Sequence, residues 1–150
     1  MLVSVDFGIT ITDLVIKDDH GRLFFGEQNS VQKPSEDLLK EFIRDCIPLN
    51  WQEIELITLT GGHHKLIGNK IDKVPVIHIN EVDAIGEGGF FLSKLAHNKP
   101  ALIVSSGSGT ACVLAEKGKF THCSGTGVGG GTVLGLSKLL LNTSNPNEIG

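Results

Sequence analysis

Nine of the chain's 19 glycines fall between Gly107 and Gly135. Glycine loses more backbone freedom on folding than any other residue and weakens strands and helices alike. Such a density therefore needs a reason: turns with positive φ, or backbone that a ligand must approach closely. The distribution points to a binding site in the second half of the chain.

The 150 residues carry 13 basic and 17 acidic side chains, a net charge of −4, with 40% hydrophobic and 20% charged residues. This is ordinary globular composition, and a chain of this length buries a sizeable core without needing staples. Two arginines, one tryptophan and no tyrosine speak against a nucleic-acid surface, which needs a basic stripe interleaved with stacking aromatics. The three cysteines, Cys46, Cys112 and Cys123, are odd in number and widely spaced, which indicates neither a disulfide framework nor a zinc knuckle and fits a reducing compartment. Residues Met1 to Asp6 run straight into a strand without the pattern of a signal peptide, and no apolar run approaches membrane-spanning length. The expected location is the cytoplasm, with neither nucleic acid nor membrane as partner.

Apolar and β-branched runs at Leu2–Val5, Ile9–Ile16 and Leu23–Phe25, the last after the turn Asp18-Asp19-His20-Gly21, predict a three-strand meander. Pro34-Ser35-Glu36-Asp37 opens a helix that Ser35 can cap; Leu38, Leu39, Phe42, Ile43 and Cys46 recur at helical spacing until Pro48. Short strands follow at Ile54–Leu59 and Val74–Ile79, then a glycine-weakened helix from Val82 to His97. A second round begins with strands at Ala101–Val104, Ala111–Ala115 and Phe120–Cys123. A helix then places Val133, Leu134, Leu136, Leu139 and Leu140 on one apolar face. The fold class is α/β, with a first domain over residues 1–98 and the opening of a second over 99–150.

Each half thus begins with a hairpin whose loop is rich in Gly, Ser and Thr: Asp6-Phe-Gly-Ile-Thr-Ile-Thr12 and Ser105-Ser-Gly-Ser-Gly-Thr110. Small residues let backbone N–H groups point into a cleft, so two such loops facing each other would grip the phosphates of a nucleotide. Asp6, ending the first strand, would add a hard oxygen for Mg²⁺ through water. Either loop alone could be plain turn chemistry. Gly125-Thr-Gly-Val-Gly-Gly130 matches Gly-x-Gly-x-x-Gly, but it follows what reads as the third strand of a meander, where a dinucleotide fold needs the first parallel strand of a βαβ unit. What remains is that Gly129-Gly-Gly131-Thr132 opens a helix, whose first N–H groups favour an anion; the same glycines would also permit tight packing.

Glu81 and Asp83 stand just past a strand end, where a carboxylate can take the proton of an acceptor hydroxyl, or can simply stabilise the helix that follows. His63 and His64 lack further ligands at metal-binding spacing and read as solvated loop histidines. Cys123 reads as a small buried hydrophobe.

The order Val5-Asp-Phe-Gly-Ile-Thr10, Leu59-Thr-Gly-Gly62, Asn80-Glu-Val-Asp-Ala84, Ser106-Gly-Ser-Gly-Thr110 and Gly125-Thr-Gly-Val-Gly-Gly-Gly-Thr132 followed by Leu134-Gly-Leu-Ser-Lys-Leu139 resembles the type II (Fumble-like, eukaryotic-type) pantothenate kinases. These belong to the superfamily of sugar kinases, chaperone ATPases and actin. The resemblance implies a ribonuclease-H-like, actin-type ATPase fold, and a usually dimeric enzyme that uses ATP and Mg²⁺ to phosphorylate pantothenate in coenzyme A synthesis. It implies Asp6, Gly8 and Thr10 as the first phosphate loop, with Asp6 toward the metal, and Ser108, Gly109 and Thr110 as the second. Gly127, Gly129, Gly130, Gly131 and Thr132 would line the nucleotide and substrate cleft, and Glu81 would be the general base.

Three positions differ from the family pattern. Ile9 stands for a second glycine, Asp13 for a lysine that would contact phosphate, and His122 for an arginine that would meet the substrate, so His122 and Asp83 are the expected substrate contacts. The polar end, Asn142 to Gly150, suggests either the N-terminal portion of a longer enzyme or a naturally short relative. In both cases the second sheet is expected to expose apolar surface unless a partner covers it. Three other readings share the motifs: a non-catalytic nucleotide-binding or regulatory module, a kinase for another small alcohol, and an activator ATPase that uses Cys123 for an iron–sulfur cluster.

Overall fold

The computed structural model describes residues 1–46, 50–95 and 99–149. The helix stop expected at Pro48 and the helix end expected at His97 lie outside them. Two compact units are distinguishable, Met1–Glu81 and Val82–Gly150.

In the first unit the meander forms as expected: β1 (Leu2–Phe7) pairs antiparallel with β2 (Ile11–Lys17), and β2 with β3 (Leu23–Asn29). Their alternating pattern buries Val3, Val5, Phe7, Leu14 and Ile16 on one face. β4 (Leu56–Gly61) joins β1 in parallel, β6 (Val74–His78) joins β4 in parallel, and the two-residue β5 (Lys70–Ile71) closes the edge, giving the order β3-β2-β1-β4-β6-β5. Ile54, expected in a strand, instead ends a 3₁₀ turn over Trp51–Glu53.

α1 (Glu36–Cys46) supplies the crossover. The Ser35 hydroxyl accepts the Leu38 N–H at 3.3 Å, which caps the first turn, and Glu36 and Asp37 complement the helix dipole. Leu39, Phe42 and Ile43 on its inner face join the sheet's buried residues. Full burial of each such side chain is worth about 1.5–3 kcal/mol.

In the second unit β7 (Ala101–Ser106), β8 (Thr110–Glu116) and β9 (Lys119–Thr126) form an antiparallel meander. Lys117 and Gly118 both have positive φ at the β8–β9 turn, the twist that a two-residue hairpin favours. α2 (Glu81–Ser93) carries its buried Gly86 and Phe90 against this sheet; a Cβ on Gly86 would run into the Phe120 ring, and one on Gly89 into Ile103. The missing side chains are what seat the helix.

One expectation needs correction here. Cys112 pairs with Ser124 and Val113 with His122, which leaves Cys123 as the extra residue of a β-bulge. Cys123 is therefore exposed rather than buried, and all three cysteines are free thiols. α3 (Gly130–Leu141) forms where expected; Leu136, Leu139, Leu140 and Leu141 are exposed, in keeping with the apolar surface expected here, and Ser137 is its buried residue. Among the described residues no helix is long and apolar enough to cross a membrane.

Candidate functional site

The first unit gathers its chemistry at the carboxyl ends of β1, β4 and β6, where open α/β sheets bind ligands. Asp6 sits one residue from the end of β1, paired with Asp13 on β2 and Thr60 on β4. Desolvation against these strand ends, then the charges of Glu81 and Asp13, push its carboxyl above the ordinary carboxylate value. Gly61 turns the chain beside it with φ of 86°; a Cβ there would lie 2.5 Å from the Asp6 Oδ1. The adjoining Thr60 hydroxyl is buried without a hydrogen-bond partner among the described residues.

Gly8 and Thr10, the rest of the first expected phosphate loop, are held from the end of β3. The Ser30 hydroxyl donates to the Gly8 carbonyl at 2.6 Å, and the Ser30 N–H donates to the Thr10 carbonyl at 2.9 Å. Thr12 is buried, and its hydroxyl lies 3.0 Å from the Ser30 oxygen. Because Ser30 uses its only proton on Gly8, Thr12 must be the donor of that pair.

Glu81 is the first residue of α2, exposed at the strand end, and its charge reaches both Asp6 and His64. Asp83, two residues further along α2, is exposed. His64, expected to be solvated, is half-buried instead: its Nδ1 lies 3.2 Å from the Nδ1 of His78 at the end of β6. Sequence reasoning missed both Thr60 and this histidine pair, because nothing local to either segment signals a partner.

In the second unit the two expected glycine stretches touch each other. The Gly130 N–H donates to the Gly107 carbonyl at 2.8 Å, and the Thr110 hydroxyl donates to the Val128 carbonyl at 2.8 Å. A Cβ on Gly129 would lie 2.7 Å from the Gly109 carbonyl, and one on Gly131 would lie 3.1 Å from that of Ser108. These glycines let the loops close on one another. The Thr132 hydroxyl accepts the Gly129 N–H at 3.3 Å and lies 3.2 Å from the Gly127 carbonyl, to which it donates. Ser108, Gly109, Thr110, Gly127, Gly129, Gly130, Gly131 and Thr132 thus form one framework at the start of α3. The Gly130 and Thr132 N–H groups serve its internal bonds, the latter to the Gly129 carbonyl at 3.0 Å. Gly107 and Gly127 differ, since a Cβ on either would meet nothing within 4 Å. They leave open backbone faces that an external group can approach.

The bulge at Cys123 also places His122. Residues three apart on a regular strand face opposite sides, but the extra residue brings His122 and Gly125 to the same side. A Cβ on Gly125 would lie 3.1 Å from the His122 Nε2. Across the molecule's described residues, no group of three or more His, Cys, Asp or Glu side chains could hold a metal ion by itself. Mg²⁺ does not require such a group: it keeps several waters and is typically bound through one or two carboxylates plus phosphate oxygens. Asp6 with the unpartnered Thr60 hydroxyl beside it fits an ion of that kind.

The Fumble family model matches residues 91–149. A type II pantothenate kinase of Bacillus cereus is 33% identical over 98% of this chain and 52% of its own length, and one of Staphylococcus aureus is 30% identical over 99% and 52%. The chain spans about half the length of the curated relatives it matches. Among solved structures, the activator of the 2-hydroxyisocaproyl-CoA dehydratase from Clostridium difficile with bound ADPNP shares the fold. Its TM-score is 0.65 at 15% identity, over 95% of this chain and 52% of that one. The fold is the ribonuclease-H-like, actin-type ATPase fold that the motifs led us to expect.

Proposed function

We propose that this chain, a relative of the type II pantothenate kinases, carries the amino-terminal catalytic elements of an enzyme that transfers the terminal phosphoryl group of ATP to the primary hydroxyl of pantothenate. The observation that carries this reading is the placement of Glu81. It leads α2 directly after β6 and is close enough to Asp6 for its charge to raise that carboxyl. Support also comes from relatives named type II pantothenate kinase that align over nearly the whole chain.

The residues then divide the work as follows. Glu81 accepts the proton of the acceptor hydroxyl as that oxygen attacks phosphorus. Asp6 would hold hydrated Mg²⁺, which would supply neutralisation of the phosphate charge. The loop around Gly8 and Thr10, and the joined loops Ser108–Thr110 and Gly127–Thr132, offer backbone to the phosphates; Gly107 and Gly127 supply open approaches. His122 and Asp83 contact the substrate. Asp13 stands beside Asp6 where the family pattern has a lysine, so this position offers the phosphates no cation. A homodimeric assembly and a cytoplasmic location complete the proposal.

The test is a coupled ADP-release assay on the protein as the cell makes it, supplied with Mg-ATP and pantothenate. Wild type turns over with pantothenate, and Glu81→Gln lowers kcat by about 10²–10⁴-fold while calorimetry shows Mg-ATP still bound. Nucleotide binding without turnover in the wild type, or full turnover in Glu81→Gln, overturns the reading.

A further inference from the structure

A backbone site for an anion has a second requirement besides N–H groups that face the guest. The carbonyls of the same residues must be turned away, or their partial charge repels it. In the bend between β1 and β2 three carbonyls are taken up by donors of the chain itself. The Gly62 N–H donates to the Phe7 carbonyl at 3.0 Å, the Ser30 hydroxyl to the Gly8 carbonyl at 2.6 Å, and the Ser30 N–H to the Thr10 carbonyl at 2.9 Å. One residue just past the end of β3 thus holds two of the three. The bend is tight: a Cβ on Gly8 would lie 2.5 Å from the Ile11 carbonyl, and Ile9, between the two carbonyls that Ser30 holds, is 84% exposed.

The Ser30 hydroxyl is itself aimed. Thr12 is 1% exposed, and its hydroxyl lies 3.0 Å from the Ser30 oxygen. Ser30 gives its one proton to Gly8, so the bonds run in one direction, from Thr12 to Ser30 to the Gly8 carbonyl, and each strengthens the next. Loss of this contact would leave the buried Thr12 hydroxyl unpaired, which fixes the Ser30 oxygen in place.

We propose that Ser30 is the positioning residue of the bend at Gly8–Thr10: it holds both carbonyls toward the end of β3 and leaves the other side of the backbone to a phosphate group. The proposal rests on the reading of this bend as a phosphate loop, and adds to it a residue that acts without touching the ligand.

Ser30→Ala and Thr12→Val separate a positioning role from a structural one. Ser30→Ala releases the Gly8 carbonyl and leaves the Thr12 hydroxyl without its acceptor. Melting temperature and Mg-ATP affinity are both expected to fall, the affinity by about 3–10-fold in calorimetric titration of the full chain. Adding Thr12→Val removes the unpaired hydroxyl and is expected to recover most of the melting temperature, while affinity stays low because the Gly8 carbonyl is still released. Ser30→Thr keeps the hydroxyl and is expected to bind Mg-ATP within about twofold of wild type. A serine that served stability alone would let melting temperature and affinity move together.

Deuterium exchange of the Gly8–Ile11 amides in the wild type, with and without Mg-ATP, checks the loop reading separately, and slower exchange with nucleotide is expected. Absence of bound nucleotide, or binding that leaves these amides unprotected, overturns the phosphate loop and the role of Ser30 with it. Protected amides overturn the role of Ser30 alone if affinity tracks melting temperature across the three variants, or if the double variant binds as the wild type does. Protection, with an affinity that stays low after stability returns, supports the proposal.

Discussion

Residues Met1–Glu81 close fifteen apolar side chains, from Val3 to Val76, into one cluster. Among the described residues of Val82–Gly150 the buried apolar side chains are Phe90, Val113 and Ala115. The exposed counterparts run the other way. Leu102 and Val104 lie open on the second sheet, and Leu136, Leu139, Leu140 and Leu141 project from α3, Leu139 at 79% exposure. The first unit is a sheet covered by its own crossover helix. The second has α2 on one sheet face, while the other face and most of α3 remain uncovered. Core and glycine framework are thus segregated: one unit supplies a closed core, and the other a framework of glycines.

That contrast can be broken most forcefully in the first core. Leu59 is fully buried, so Leu59→Ala is expected to lower unfolding free energy by about 2–5 kcal/mol in urea titration, whereas Leu139→Ala should stay within about 0.5 kcal/mol of wild type. Comparable losses from the two substitutions would erase the distinction. Gly86→Ala drives a methyl into the Phe120 ring and should destabilise the second unit by about 1–3 kcal/mol. Pairing it with Phe120→Leu should restore part of that loss, since the clash is specific to that ring.

Smaller effects sharpen the comparison. Thr132→Val removes the hydroxyl that links Gly127 to Gly129, and about 1 kcal/mol of local stability with it; loop amides near Gly127 should then exchange faster with deuterium. Asp6→Asn should act in the opposite direction on stability. The folded-state carboxyl of Asp6 holds its proton to higher pH than the unfolded one, so its ionised form opposes folding as pH rises through the folded value. The amide should therefore stabilise the chain by about 0.5 kcal/mol near pH 7, a figure kept small because solvent reaches the side chain. That gain should vanish below the unfolded carboxylate value, as melting at the two pH values will show. A loss of nucleotide binding in the same variant would mark Asp6 as held charged for function rather than for the fold.

Local patterns made much of this architecture legible. The apolar run Leu2–Val5 marked β1, the turn at Asp18–Gly21 marked the passage from β2 to β3, and Ser35 marked the start of α1. Pairings across long separations were hidden. Nothing near Gly61-Gly62 reveals that His64 will meet His78, and nothing near Asp6 reveals a buried Thr60 hydroxyl. β9 runs on to Thr126 through a bulge, which interrupts the period-two signal at Cys123 and hid both the strand's length and the exposure of that thiol. The helical repeat of α3 was readable, but periodicity reports only that a face is apolar. Whether another element covers that face is a property of the tertiary structure, and Leu136 and Leu139 stay open.

The threonine hydroxyls at positions 110 and 132 have a further consequence. They fasten glycine-rich chain to itself through Val128 and Gly127, so backbone that would otherwise sample many shapes is fixed by side-chain bonds. On the function proposed above, a framework set in this way would forfeit little motional freedom on taking up an anion, and more of the contact energy would remain as affinity. The bareness that lets a guest come near and the stiffness that makes its visit worthwhile come from different residue types, laid side by side along the same few positions.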